Sequence, residues 1–152
     1  MKFKFHPALL NGYILVVDEP DIAEKIAGWI QKAGYNTKIA YSYGEAIRIS
    51  EESHPILFVI NTTIVHTDVS LKDFQSMLCS EDFMDTPRYG IIEPIIKQKY
   101  FGHGNGLDGY SGQYDYLLFK PVDHKLLIEY INRSSRAIYS DDLRGAIHRY
   151  EI

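Results

Sequence analysis

Three short apolar runs, each cut off by polar residues, do most to restrict what this chain can fold into. They are Tyr13-Ile-Leu-Val-Val, Pro55-Ile-Leu-Phe-Val-Ile and Tyr116-Leu-Leu-Phe. Each is too short for a buried helix and too continuous for a strand with one wet face, so each reads as a strand covered on both sides. After the first run the spacing changes. Ile22, Ile26, Trp29, Ile30 and Ala33 recur at helical intervals and form one apolar face. Pro20 suits the first turn of that helix, and Gly34 is the expected stop. Tyr35–Ala40 reads as a second strand, and Ser42-Tyr-Gly-Glu45 has capping-box spacing before a helix to about Ser53. Repeated βα units with short loops require a parallel sheet with right-handed crossovers.

The second half is less regular. Leu71–Cys79 reads as a helix with Leu71, Phe74 and Leu78 on one side, and Tyr89–Ile92 as a fourth strand ended by Glu93-Pro94. Ile95–Tyr100 is short, and the stretch 101–113 carries glycine at 102, 104, 106, 109 and 112. That density opposes a regular helix, so an exposed loop rich in Tyr and Phe is expected there. Gly104-Asn-Gly-Leu-Asp-Gly109 matches G-x-G-x-x-G in form but lacks the preceding strand and following helix that dinucleotide binding needs. Asp123 is placed to cap a helix carrying Leu126, Leu127, Tyr130 and Ile131. Leu143, Ile147 and Tyr150 have helical spacing in the tail. The expected organisation is an N-terminal extension over 1–11, one α/β domain over 12–136 and a tail over 137–152.

Composition narrows the function. A length of 152 residues suits one domain with a real core. A net charge of −4 gives no reason to expect nucleic acid as a partner. The single cysteine, Cys79, excludes an internal disulfide and fits a reducing compartment. No apolar run reaches membrane-spanning length, and Met1-Lys-Phe-Lys-Phe-His lacks the apolar centre of a signal peptide. A soluble, cytoplasmic protein is expected. The histidines, among them His54, His66, His103 and His124, lack metal-ligand spacing, and no nucleophile–histidine set stands out.

In a doubly wound sheet the functional crevice lies beyond the carboxyl ends of the strands. Asp18 and Glu19 follow strand one, Asn61 ends strand three, and Lys120-Pro121 follows strand five. This order, with the strand Ile14-Leu-Val-Val-Asp-Glu-Pro-Asp, resembles the response-regulator receiver domain over roughly residues 12–135. The resemblance implies a flavodoxin-like, doubly wound (βα)5 sheet of five parallel strands, here with an irregular fourth-helix region. In that family the residue at Asn61 is an aspartate that accepts a phosphoryl group, beside Mg²⁺ held by the acidic pair. An amide is neutral and a very poor nucleophile, so it cannot form an acyl phosphate, although its oxygen can still approach a metal. The family's Ser or Thr at the end of strand four falls on Ile92 or Glu93, and neither carries a hydroxyl. Its strand-five aromatic falls near Tyr114 or Tyr116, and Tyr116 lies one residue further from Lys120 than the usual pattern.

The resemblance therefore implies a degenerate receiver without enzymatic activity. Its inherited pocket comprises Asp18, Glu19, Asn61, Glu93 and Lys120, with Lys120 expected to neutralise Asp18 or Glu19. No cofactor is expected to be required; weak Mg²⁺ binding at Asp18 and Glu19 is the alternative. Asn61 is expected to cap the following turn or to hydrogen-bond across the pocket. The expected partner is a protein, a histidine kinase or another signalling protein, with a homodimer as the alternative. It would meet the loop and face carrying Phe101, His103, Tyr110, Tyr114, Tyr116 and Pro121, with Lys120–Ile131. Two other readings stand beside this one: a small-ligand sensor with the Tyr-rich loop over the strand ends, and a working receiver using Asp18 or Asp68 as acceptor.

Overall fold

A computed structural model describes residues 12–93 and 113–136. The stretches 1–11 and 137–152, Phe101, His103 and Tyr110 of the expected partner loop, and the expected irregular fourth-helix segment lie outside those residues.

Within them the chain alternates strand and helix. The strands are β1 (Tyr13–Val17), β2 (Asn36–Ala40), β3 (Leu57–Asn61), β4 (Arg88–Ile92) and β5 (Tyr116–Phe119). The helices are α1 (Pro20–Lys32), α2 (Tyr43–Glu52), α3 (Leu71–Leu78) and α4, which covers 124–136. All strand pairings are parallel, in the order β2-β1-β3-β4-β5. The fold is α/β with one five-stranded parallel sheet, as the sequence pattern requires.

Local chemistry sets the element ends. Gly34 adopts φ 103°, a left-handed conformation open to glycine at little cost. Its N–H reaches the Gln31 carbonyl at 3.0 Å, and the Tyr35 N–H reaches the Ile30 carbonyl at 3.3 Å. That is a Schellman motif. It uses the Tyr35 amide to close α1, which is why β2 begins one residue later than the apolar pattern suggests. Ser42 Oγ accepts from the Glu45 N–H at 3.1 Å, so the capping spacing operates as a cap. Asp123 Oδ1 accepts from the N–H groups of Lys125 and Leu126 at the start of α4.

The inner strands are buried on both faces, and alternate residues face opposite helix layers. Ile14, Val16, Leu57, Val59 and Ile91 pack with Ile26 and Ile30 of α1 and Leu127 and Ile131 of α4. Leu15, Val17, Phe58 and Ile60 pack with Ala46 of α2 and Phe74 and Leu78 of α3. Tyr89, fully buried on β4, ties α4 to the sheet: its hydroxyl donates to the Tyr130 carbonyl at 2.6 Å and meets Ser134 Oγ. Burial pushes its pKa far above the usual phenol range, so it stays neutral.

Candidate functional site

Strand register brings the site together. Val17 pairs with Ile60, so the next residues, Asp18 and Asn61, meet at the strand ends. Both are buried, Asp18 with no exposed surface. Asn61 Nδ2 donates to Asp18 Oδ1 at 2.8 Å, and the Glu19 N–H donates to the same oxygen at 2.7 Å. Asn61 Oδ1 accepts from both the N–H and the hydroxyl of Thr63, each at 2.9 Å. A backbone N–H can only donate, so Thr63 fixes the amide orientation: oxygen to Thr63, nitrogen to Asp18. Asn61 thus caps the turn and bridges the pocket at once.

Asp18 Oδ2 is buried without a hydrogen-bond partner among the described residues. Burial raises the Asp18 pKa above the usual carboxylate value. The bonds from Asn61 and the Glu19 N–H and the charge of Lys120 oppose that shift without cancelling it. Glu19 is exposed, at the N-cap of α1 without a side-chain capping bond.

The expectation that Lys120 neutralises Asp18 or Glu19 needs correction. Lys120 Nζ pairs with Glu93 Oε1 at 2.8 Å. The reason is again register: Ile92 pairs with Phe119, and the Lys120 N–H donates to the Ile92 carbonyl. Residues 93 and 120 therefore emerge side by side. Asp18, its Oδ1 already holding two donors, feels Lys120 only as a nearby charge. At the end of β4, Ile92 is buried and Glu93 is turned to the lysine.

Two expected partner-face residues are committed elsewhere. Tyr114 is buried, and its hydroxyl accepts from Gln75 Nε2 at 2.8 Å. Tyr116 stacks on Tyr130 with ring centroids 3.9 Å apart, so that ring face is closed to a partner. Leu117, three residues before Lys120, packs against the layer that holds Phe74. Pro121 is exposed, as are Asp123, His124, Lys125 and Leu126. The proposed alternative acceptor Asp68 serves another purpose. It accepts from the Gly44 N–H at 3.1 Å and pairs with Arg48 at 3.5 Å, capping α2. Desolvation pushes its carboxyl up, but its bonds to its own backbone, Ser42, Gly44 and Arg48 outweigh that and hold it below the usual range.

The turn cap on the Thr63 N–H is as expected; sequence reasoning missed two hydroxyl supports. The Thr63 hydroxyl also donates to the Asn61 oxygen, and the Tyr43 hydroxyl donates to the Asn61 carbonyl at 2.6 Å while accepting from the Ile64 N–H. A threonine two residues after a strand-end Asn is a weak signal for the first; nothing in the spacing signals the second.

As arranged, these residues give the divalent cation that the resemblance implies a reduced set of oxygens. Asn61 turns its oxygen away from Asp18, Asp18 Oδ1 is occupied by two donors, and no metal-holding cluster exists among the described residues. Asp18 Oδ2 and the exposed Glu19 carboxylate are what the acidic pair would still offer it, with water filling the rest of its shell.

No protein-family model matches the sequence, and no curated protein matches it. Solved structures do match in shape. The receiver domain of the Francisella response regulator 1452 superposes with a TM-score of 0.68 at 20% identity, covering 84% of this chain and 98% of that one. CheY4 of Vibrio cholerae, a chemotaxis response regulator, gives 0.65 at 16% identity over 81% of this chain and 98% of that one. NtrX from Brucella abortus gives 0.71 at 16% identity over 90% of this chain, which spans 29% of NtrX. The fold is therefore that of a receiver domain.

Proposed function

We propose that this chain is a pseudo-receiver: a protein-interaction module of a two-component-type regulatory system that works without being phosphorylated. The observation that carries this is Asn61. It stands at the end of β3, where the receiver family has its acceptor aspartate, and its amide is held by Thr63 and bonded to Asp18. The amide supplies to Asp18 the positive end of a dipole, which supports a pocket that needs no Mg²⁺. The absence of a hydroxyl at Ile92 and Glu93 supports the same reading. The module has no catalytic residue in this account; its output is binding. Its docking face is the exposed part of the β5–α4 region, Pro121 with His124, Lys125 and Leu126. A protein of the cytoplasm fits this role, and no helix among the described residues is long and apolar enough to cross a membrane.

The test is intact mass after incubation with acetyl phosphate and Mg²⁺. The expected spectrum is that of the unmodified protein. A phosphoryl adduct on Asp18 or Asp68 that hydroxylamine removes, as it does an acyl phosphate, would overturn the proposal.

A further inference from the structure

An apolar cavity lies outside the Asp18–Asn61 pair, between α1 and the segment after β5. It measures about 400 Å³, within the range of small-molecule sites. Ile22, Ile26 and Trp29 wall it on the α1 side, and Pro121 and Val122 on the other. Trp29, the only tryptophan of the chain, is half-buried and packs against the His124 ring, with centroids 5.2 Å apart. Its ring gives the cavity a flat, rigid wall, a surface suited to stacking.

The rim is charged and unbalanced. Lys120 reaches it already paired with Glu93. Lys25 also lines it, 5.6 Å from the centre of the Trp29 ring, and makes no salt bridge among the described residues. Among the lining side chains, two cations and one anion leave one positive charge at the mouth of an apolar slot.

We propose that this cavity binds a small planar aromatic monoanion, such as an aromatic carboxylate, with its ring against Trp29 and its charge toward Lys25. The charge balance selects the class. A neutral aromatic leaves Lys25 without an anion, and an aromatic cation meets a net like charge. This site is additional to the pseudo-receiver reading and does not rest on it, although Lys120 and Glu93 border both.

The test uses the full-length ¹⁵N-labelled protein and three probes of one shape: 2-naphthoate, 2-naphthamide and 2-naphthylmethylammonium. Trp29 supplies the only indole N–H signal. The expected result is saturable shifts at that signal and at the amides of Ile22 and Val122. Naphthoate should bind about fivefold tighter than the amide, the scale of one partly exposed charge pair, and the ammonium probe weakest. Lys25→Ala should erase the preference for the anion while the neutral probe still binds. Val122→Trp should fill the slot and abolish binding of all three; if that variant does not fold, the Lys25→Ala comparison decides alone. Equal affinity for the three probes, shifts that map elsewhere, or no shift at Trp29 would overturn the proposal. Binding there by a protein segment alone would do the same.

Discussion

Replacing Asn61 by aspartate should destabilise the protein rather than simply restore a lost function. Asn61 Nδ2 lies 2.8 Å from Asp18 Oδ1. A carboxylate there sets two negative oxygens at that distance, a repulsion of about 6 kcal/mol at an effective dielectric near 20. The pair can escape by holding one proton. Keeping a carboxyl of ordinary pKa protonated at pH 7 costs about 4 kcal/mol, which caps the penalty. Lys120, whose charge reaches Asp18, offsets a part. The expected loss for Asn61→Asp is therefore about 2–4 kcal/mol at neutral pH without divalent cations. The sign with pH follows from the shared proton. The folded pair binds it more tightly than the unfolded chain, so the variant's deficit shrinks as pH falls below the raised folded pKa and grows as pH rises through it. Urea denaturation of both proteins from about pH 7 down to about pH 5 measures this. Asn61→Ala, which loses the donor without adding charge, should show a smaller loss with little pH dependence. Equal stability of Asn61→Asp and the native protein at pH 7 would mean that residues 18 and 61 do not face one another, and the account of the pocket would fail.

Asp18→Asn should stabilise the protein at neutral pH by about 1–2 kcal/mol, since it removes a buried charge with one unpartnered oxygen. The raised folded pKa of Asp18 means that stability falls as pH rises from the unfolded carboxylate value through the folded one; this variant should lose that slope in a pH series of melts, and an unchanged slope would count against it. A double-mutant cycle on Lys120→Met and Glu93→Gln should give a coupling of about 0.5–1 kcal/mol, discounted for the partial exposure of Glu93, while the cycle with Glu19→Gln should give close to none. Gly28→Ala, inside α1 where an added Cβ meets nothing within 4 Å, should stabilise by about 0.5–1 kcal/mol in chemical denaturation.

The sheet was legible because its inner strands are buried on both faces. Val16 and Val59 face one helix layer and Val17 and Ile60 the other, so the runs in β1 and β3 could hardly be anything else. The strand-end residues Asp18, Asn61 and Lys120 were legible for the same reason: topology alone carries them to one edge. Their pairing was not. The Lys120–Glu93 bridge depends on the β4–β5 register, which relates residues 27 positions apart and leaves no local trace. Tyr114 was assigned to the partner face, yet it is buried, with its hydroxyl held by Gln75 of α3 across 39 positions of sequence. The Tyr43 hydroxyl under the Asn61 carbonyl was equally invisible, since helical periodicity reports a face and not the atom a side chain reaches.

In the proposed pseudo-receiver the Asn61 amide stands in the acceptor's place and the pocket works without a bound cation. Titrating the labelled native protein with Mg²⁺ and then with beryllofluoride, following the amide signals of Asp18, Glu19, Asn61 and Thr63 and the Asn61 side-chain NH₂, checks this. The account predicts that these signals stay in place through both titrations. Saturable shifts confined to these residues would show a pocket that still takes the cation and the phosphoryl mimic, and would contradict it.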